Sequence, residues 1–248
     1  MKKLVALLMA LMMLFSFALA EETATATDTT TDATEEDTVI ALVNGEELMN
    51  STYTQVKNDY LTAYTQMGYD ITDEAKKAYV EDLALTAAIQ NLLVDQDMRA
   101  QGCYDFTEEI ENWCTEQGKA AYESAIENVK TTLNDTLELE GDDADNALNV
   151  YAAAYAELLG VTEQDYIDVY RTQYATMLYY AWLTQDCPVT EEDVQTEYDS
   201  RKAADDTVGE LTDDLYNEIA YDIYVERYQA KLKERIEVLS DAAEVTLY

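Results

Sequence analysis

The chain has 248 residues, 48% of them hydrophobic, and sets 52 Asp and Glu against 15 Lys and Arg for a net charge of −37. Such a charge repels phosphate backbones and anionic lipid surfaces, so neither nucleic acid nor a membrane surface is an expected partner. There is no histidine, which removes Ser-His-Asp and Cys-His nucleophiles, imidazole bases and histidine metal ligands together.

Residues 1–20 have the pattern of a secretory signal. Lys2 and Lys3 form a basic start, Leu4 to Phe17 an apolar run, and Ala18-Leu19-Ala20 an A-x-A cleavage site. The run is short for a membrane span and nothing basic follows it. The mature protein is therefore expected outside the cytoplasm or secreted, soluble and without stable membrane insertion. Loss of Lys2 and Lys3 would take its charge from −37 to −39. Residues 21–37 are rich in Thr, Ala and acids, with no apolar periodicity, and predict a disordered leader. A single domain is expected over 38–248.

An apolar run, Val39 to Val43, meets Asn44-Gly45, a pair that tolerates the positive φ of a tight turn. Asn50 and Ser51 are both good N-caps for a helix over 52–67, which Gly68 ends. Thr72 or Asp73 can cap a second helix running to about Gln101, with Tyr79, Leu83, Ala87, Leu92 and Leu93 near its buried face. At 1.5 Å per residue it would be roughly 40 Å long.

Helices over 108–139 and 144–159 follow, bounded by Gly102, Gly141 and Gly160. The sequence GDDADN at 141–146 lacks the alternating ligands and twelfth-position Glu of a calcium loop, and predicts an acidic turn. Thr162 with Asp165 and Thr190 with Asp193 make capping boxes that open helices over 163–184 and 191–202. The last helix, 213–239, carries Tyr216, Ile219, Ala220, Ile223, Tyr224, Tyr228, Leu232, Ile236 and Leu239 in steps of three and four, one apolar stripe. The closing EVTLY, 244–248, is a second short β-branched run, and its pairing with the first would close the fold from end to end. The expected fold class is mainly α, an extended multi-helix module with a small β-pairing between N-terminal and C-terminal strands.

The opening VNGEEL followed by Tyr53 resembles the N-terminal chaperone module of the exported SurA and PrsA folding factors. GVTEQDYIDVY at 160–170, an apolar helix, and PVTEEDVQTEY at 188–198 recur in that order in the family, and 215–248 is similar to its closing helix and strand. The likeness covers most of 38–248, with 106–148 matching only as generic helix. The resemblance implies a module that binds unfolded or partly folded exported proteins. In the family a parvulin-type prolyl isomerase domain is inserted where this chain has only AADDTVGEL, 203–211. A domain needs roughly 50 residues to build a core, so a prolyl isomerase label would be inherited in name only. The lipid anchor of some PrsA relatives finds no cysteine near the cleavage site.

The chemistry-bearing residues point away from an enzyme. Among 52 acids, carboxylate pairs arise by chance, and no Gly-rich phosphate loop or G-x-S-x-G occurs, so no catalytic residue, cofactor or metal is assigned. Of three cysteines, Cys103, Cys114 and Cys187, an odd count leaves at least one unpaired even where export permits disulfides. A Cys103–Cys114 pairing stays open, and all three are treated as small buried apolar residues. Tyr outnumbers Phe by 20 to 3, which gives aromatic surfaces that tolerate water while offering flat apolar bodies. The densest cluster is YATMLYYAWL, 174–183. It is either buried all round as a central helix, or it presents one edge, Tyr179, Tyr180 and Trp182, to a cleft for unfolded segments. Tyr174, Trp113 and the adaptable Met98 complete the candidate peptide-binding set. The acidic exterior fits a solvated surface, a steering field for basic clients or weak cation binding. The expected function is an exported chaperone-like binder of apolar segments without catalysis; the alternative is a scaffold for one dedicated partner in the cell envelope.

Overall fold

The computed structural model describes residues 37–137, 142–159, 161–205 and 207–248. The signal segment, and all of the leader except Asp37, lie outside them. The described chain is mainly helical, with strands β1 (Val39–Val43) and β2 (Glu46–Met49), helices α1 (Asn50–Gln66), α2 (Glu74–Ala100), α3 (Glu108–Leu137), α4 (Asp142–Leu159), α5 (Glu163–Leu183), α6 (Glu191–Ala204) and α7 (Asp213–Ala242), and strand β3 (Val245–Leu247). It divides into two compact units, one of 37–100 with 180–248 and one of 101–179.

In the first unit the expected strand pairing is present and larger than expected. The sheet order is β2-β1-β3, antiparallel throughout, with β1 in the centre. Asn44 at φ 53° and Gly45 at φ 83° form the two-residue turn between β1 and β2, the backbone that lets a hairpin follow the strand twist. The Asn44 side chain also accepts from the Glu244 N–H at 2.9 Å and donates to Gln96 Oε1 at 2.9 Å. One residue thus ties the hairpin to Glu244, the residue before β3 and 200 positions later.

Helix α1 begins straight from β2, so its N-cap position falls on Met49, which offers no side-chain cap. Asn50 and Ser51, the expected caps, are helical instead. Pairing of Val39 with Met49 brings Asp37 alongside, and its carboxylate accepts from the Ser51 N–H at 2.9 Å and from the Ser51 hydroxyl. Those bonds hold the Asp37 carboxyl below its ordinary range. Asp73 caps α2 as expected, accepting from the Ala75 and Lys76 N–H groups.

Leu93 of the expected α2 stripe is buried, but the earlier part of that face is rotated by about one residue. Val80, Ala84 and Ala88 are buried, followed by Leu93, Asp97 and Met98, whereas Tyr79 is 54% exposed. Bulky Tyr79 and Leu83 dominated the apolar pattern, yet small Ala84 and Ala88 are what a close helix approach needs. Ala41, Val43, Leu48, Ala88 and Leu93 form one core, flanked by Tyr53, Val56, Leu239 and Ala243. Val194, Tyr198 and Ile219 form another between α6 and α7. Every residue of the expected α7 stripe is buried or half-buried.

The second unit contains α3, α4 and most of α5. Helix α4 starts at Asp142, so the acidic stretch expected as a turn is helical from its second residue onward; Gly141 lies outside the described residues. Leu148, Ala152 and Ala156 make the buried stripe of α4, with the i, i+4 spacing of a helix face. A Cβ placed on Gly118 of α3 would lie 2.5 Å from the Ile167 Cα of α5. The two helices touch backbone to backbone there. Both predicted capping boxes form: the Thr162 N–H donates to Asp165 at 2.7 Å, and at Thr190 and Asp193 both arms are present.

Candidate functional site

The loop before α3 supplies Tyr104 and Phe106, α3 supplies Trp113, and α5 supplies Tyr170 and Tyr174 one turn apart. Their rings assemble into one cluster in the second unit. Phe106 meets Tyr174 at 5.6 Å between centroids and 82° between planes, and Trp113 meets Tyr170 at 6.0 Å and 83°. Trp113 also lies 6.0 Å from Tyr174, and Tyr104 lies 6.0 Å from Phe106. Edge-to-face pairs of this kind contribute about 0.5–1.5 kcal/mol each beyond buried area. The Arg171 guanidinium sits 6.0 Å from the Phe106 ring and 3.1 Å from Glu111. All five rings are half-buried. They pack against one another, and each keeps a minority of its surface in solvent, so the part that remains exposed is already ordered.

A second group lies in the first unit. Tyr180 stacks on Tyr228 at 4.3 Å and 12°, and Tyr224 lies 5.6 Å from Tyr228. Burial, with smaller contributions from Tyr228 and Tyr224, pushes the Tyr180 hydroxyl up to about 12. The Arg235 guanidinium lies 5.7 Å from the Trp182 ring and makes two bonds to Asp97, at 2.8 and 2.6 Å.

The six expected peptide-binding residues therefore fall into separate environments. Trp113 and Tyr174 come together in the first cluster described. Tyr180 and Trp182 are half-buried against residues of α7. Tyr179 is fully buried and Met98 nearly so, which makes both core. Tyr179 and Tyr180 do not share an edge, because consecutive helical positions turn by about 100°, and Trp182 is taken up by the Arg235 guanidinium. What α5 buries is Ile167, Ala175, Tyr179 and Leu183, at multiples of four along one face.

Phe106, Tyr170, Tyr224 and Tyr228 are not among the expected peptide-binding residues, and Tyr224 and Tyr228 are expected only as part of the α7 stripe. Two of these carry a sequence signal, since Tyr170 with Tyr174 and Tyr224 with Tyr228 are i, i+4 pairs on single helix faces. Phe106 sits in a loop and carries none. Cys103 and Cys114 are buried as expected, but Cys187 is only half-buried; all three are thiols. Burial, with Glu111 adding, pushes the Cys114 thiol up. Among the described residues no group of three or more Cys, Asp or Glu could hold a metal ion, and no helix is long and apolar enough to cross a membrane. Comparison with known proteins finds no matching protein-family model, no matching curated protein and no matching solved structure.

Proposed function

We propose that the protein is an exported chaperone-like binder that holds unfolded or apolar polypeptide segments without catalysing their folding. The observation that supports this reading is the aromatic cluster of Phe106, Trp113, Tyr170 and Tyr174, rings packed against one another with part of each still exposed. Rigid aromatic surface binds apolar side chains with little loss of rotamer freedom, and it is indifferent to their sequence. The charge of −37 would keep a loaded complex dispersed and would favour clients with basic residues. The signal-like start supports export, and the SurA- and PrsA-like opening and closing segments support a chaperone module without the isomerase domain.

The test is light scattering of a chemically unfolded model protein diluted into buffer at moderate salt, with and without the mature chain. Suppression is expected at near-stoichiometric ratio. Replacing Trp113 and Tyr174 with Ala together should weaken it several-fold while leaving the far-UV spectrum intact. No suppression by the wild-type chain would overturn the reading, and recovery of one stoichiometric partner would then assign the dedicated-scaffold role.

A further inference from the structure

Strand β3 lies at the outside of the sheet, and its backbone polarity can be derived from the bonds at its ends. The Asn44 N–H donates to the Glu244 carbonyl at 2.8 Å, and the Tyr248 N–H donates to the Ile40 carbonyl at 3.0 Å. Between them Ala41 pairs with Leu247, Leu42 with Thr246 and Val43 with Val245. Hydrogen-bonded and non-hydrogen-bonded pairs alternate in an antiparallel ladder. Residues 244, 246 and 248 thus turn their backbone groups toward β1, while Val245 and Leu247 turn theirs outward. That presents two N–H and two C=O groups, in sets roughly 7 Å apart, along an edge that no strand pairs with among the described residues.

The side chains repeat the pattern. Val245 and Leu247 share a sheet face with Val43 and Ala41, their cross-strand partners. Val43 and Ala41 are fully buried, whereas Val245 is 43% and Leu247 58% exposed. The apolar face of the sheet continues past the point where the fold covers it. Exposed edges are ordinarily blunted by shortness, Lys, Pro or a bulge; β3 is short, at three residues, but its Val-Thr-Leu carries no Lys or Pro. The opposite edge, β2, carries Glu46 and Glu47, and Glu46 is bridged by Arg99 at 2.7 Å.

We propose that β3 receives an extended segment of another polypeptide, added as a fourth strand, with apolar residues at alternate positions and basic residues beside them. This rests on the reading of the chain as a binder of unfolded polypeptide, and supplies the backbone half of that recognition. Charge selects the occupant. Glu237, Asp241 and Glu244 are exposed on the approach to β3, and two copies at −37 each would bring these carboxylates together. A Lys-flanked strand instead gains their attraction, and main-chain pairing makes the capture tolerant of sequence.

The probe is the end-capped synthetic peptide KVTVTVK, titrated into the full mature chain while amide hydrogen exchange is followed by NMR. At saturating peptide the Val245 and Leu247 amides should exchange at least tenfold more slowly. Thr246, already turned to β1, should change little, and the proline-interrupted peptide KVPVPVK should have no effect. Val245→Pro removes an outward N–H without removing a bond to β1, and should weaken binding at least tenfold. Leu247→Lys, which meets the peptide with like charge at an exposed position, should do the same should the proline disturb the strand. Unchanged exchange at Val245 and Leu247, or equal peptide binding by both variants, would overturn the proposal. So would a concentration-dependent dimer of the peptide-free chain that Val245→Pro dissolves, since a second copy would then be the occupant. If the wild-type chain suppresses aggregation while these amides stay unprotected, strand addition fails and the holding function stands. If the amides are protected but aggregation is not suppressed, the holding function fails alone.

Discussion

Asp97 is the buried charge among the described residues of the first unit, and replacing it by Asn tests how that unit is held. Asp97 on α2 is 5% exposed and takes both arms of the Arg235 guanidinium from α7, at 2.8 and 2.6 Å. Two unit charges about 4 Å apart attract by about 4 kcal/mol at an effective dielectric near 20. The Arg235 side chain keeps 30% of its surface in water, so solvent recovers part of the loss, and an amide oxygen can still accept one N–H. The net destabilisation of Asp97→Asn should be about 2–3 kcal/mol, above a surface ion pair and below a fully enclosed one. Trp182, beneath Arg235, reports on this unit in urea denaturation once Trp113→Phe has silenced the other indole. With a slope near 2 kcal/mol per molar urea, the midpoint should fall by about 1–1.5 M. The double replacement Asp97→Leu with Arg235→Leu should recover most of the loss, because no unpaired charge remains. A midpoint shift below about 0.25 M for Asp97→Asn would refute the reasoning and place the pair in effectively full solvent.

Gly118→Ala should destabilise the second unit by about 1–3 kcal/mol, although alanine alone would favour the helix by about 1 kcal/mol. The new Cβ meets Ile167 backbone at 2.5 Å, and a raised melting temperature followed by Trp113 fluorescence would contradict that contact. Asn44→Ala loses a residue suited to φ 53° and its bonds to Glu244 and Gln96; a loss of about 2 kcal/mol is expected, with faster amide exchange at Thr246. Unchanged exchange there would mean β3 is held without Asn44. The Asp193 carboxyl is lowered from 3.8 to about 2, first by the Arg227 side chain and then by Thr190. Its folded value lies below its unfolded value, so its contribution is present above about pH 4 and fades as pH falls through 2. A carbon-detected NMR titration should place its midpoint near 2, and a midpoint at or above the ordinary carboxylate range would rule out the Arg227 bond in solution.

Local information determined most of the elements from the sequence alone. Capping residues act on amides within three positions, so Asp73, Thr162 and Thr190 announced their helices, and Gly68 its end. The α7 stripe was legible because a long run of apolar residues at steps of three and four defines one face however it is covered. Tertiary structure decided everything that depends on a distant partner. Asp37 replaces Ser51 as the cap of α1 only because β1 pairs with β2. The buried face of α2 turns on two alanines, whose value lies in the close approach they permit rather than in their own hydrophobicity. Tyr179 and Tyr180 are adjacent in sequence, yet one is core and the other stacks on a ring 48 positions away. Phe106 joins Tyr174 across 68 positions with no local mark of doing so. A helix's periodicity fixes which residues share a face, but what meets that face is set by loop closure and packing among segments far apart in the chain.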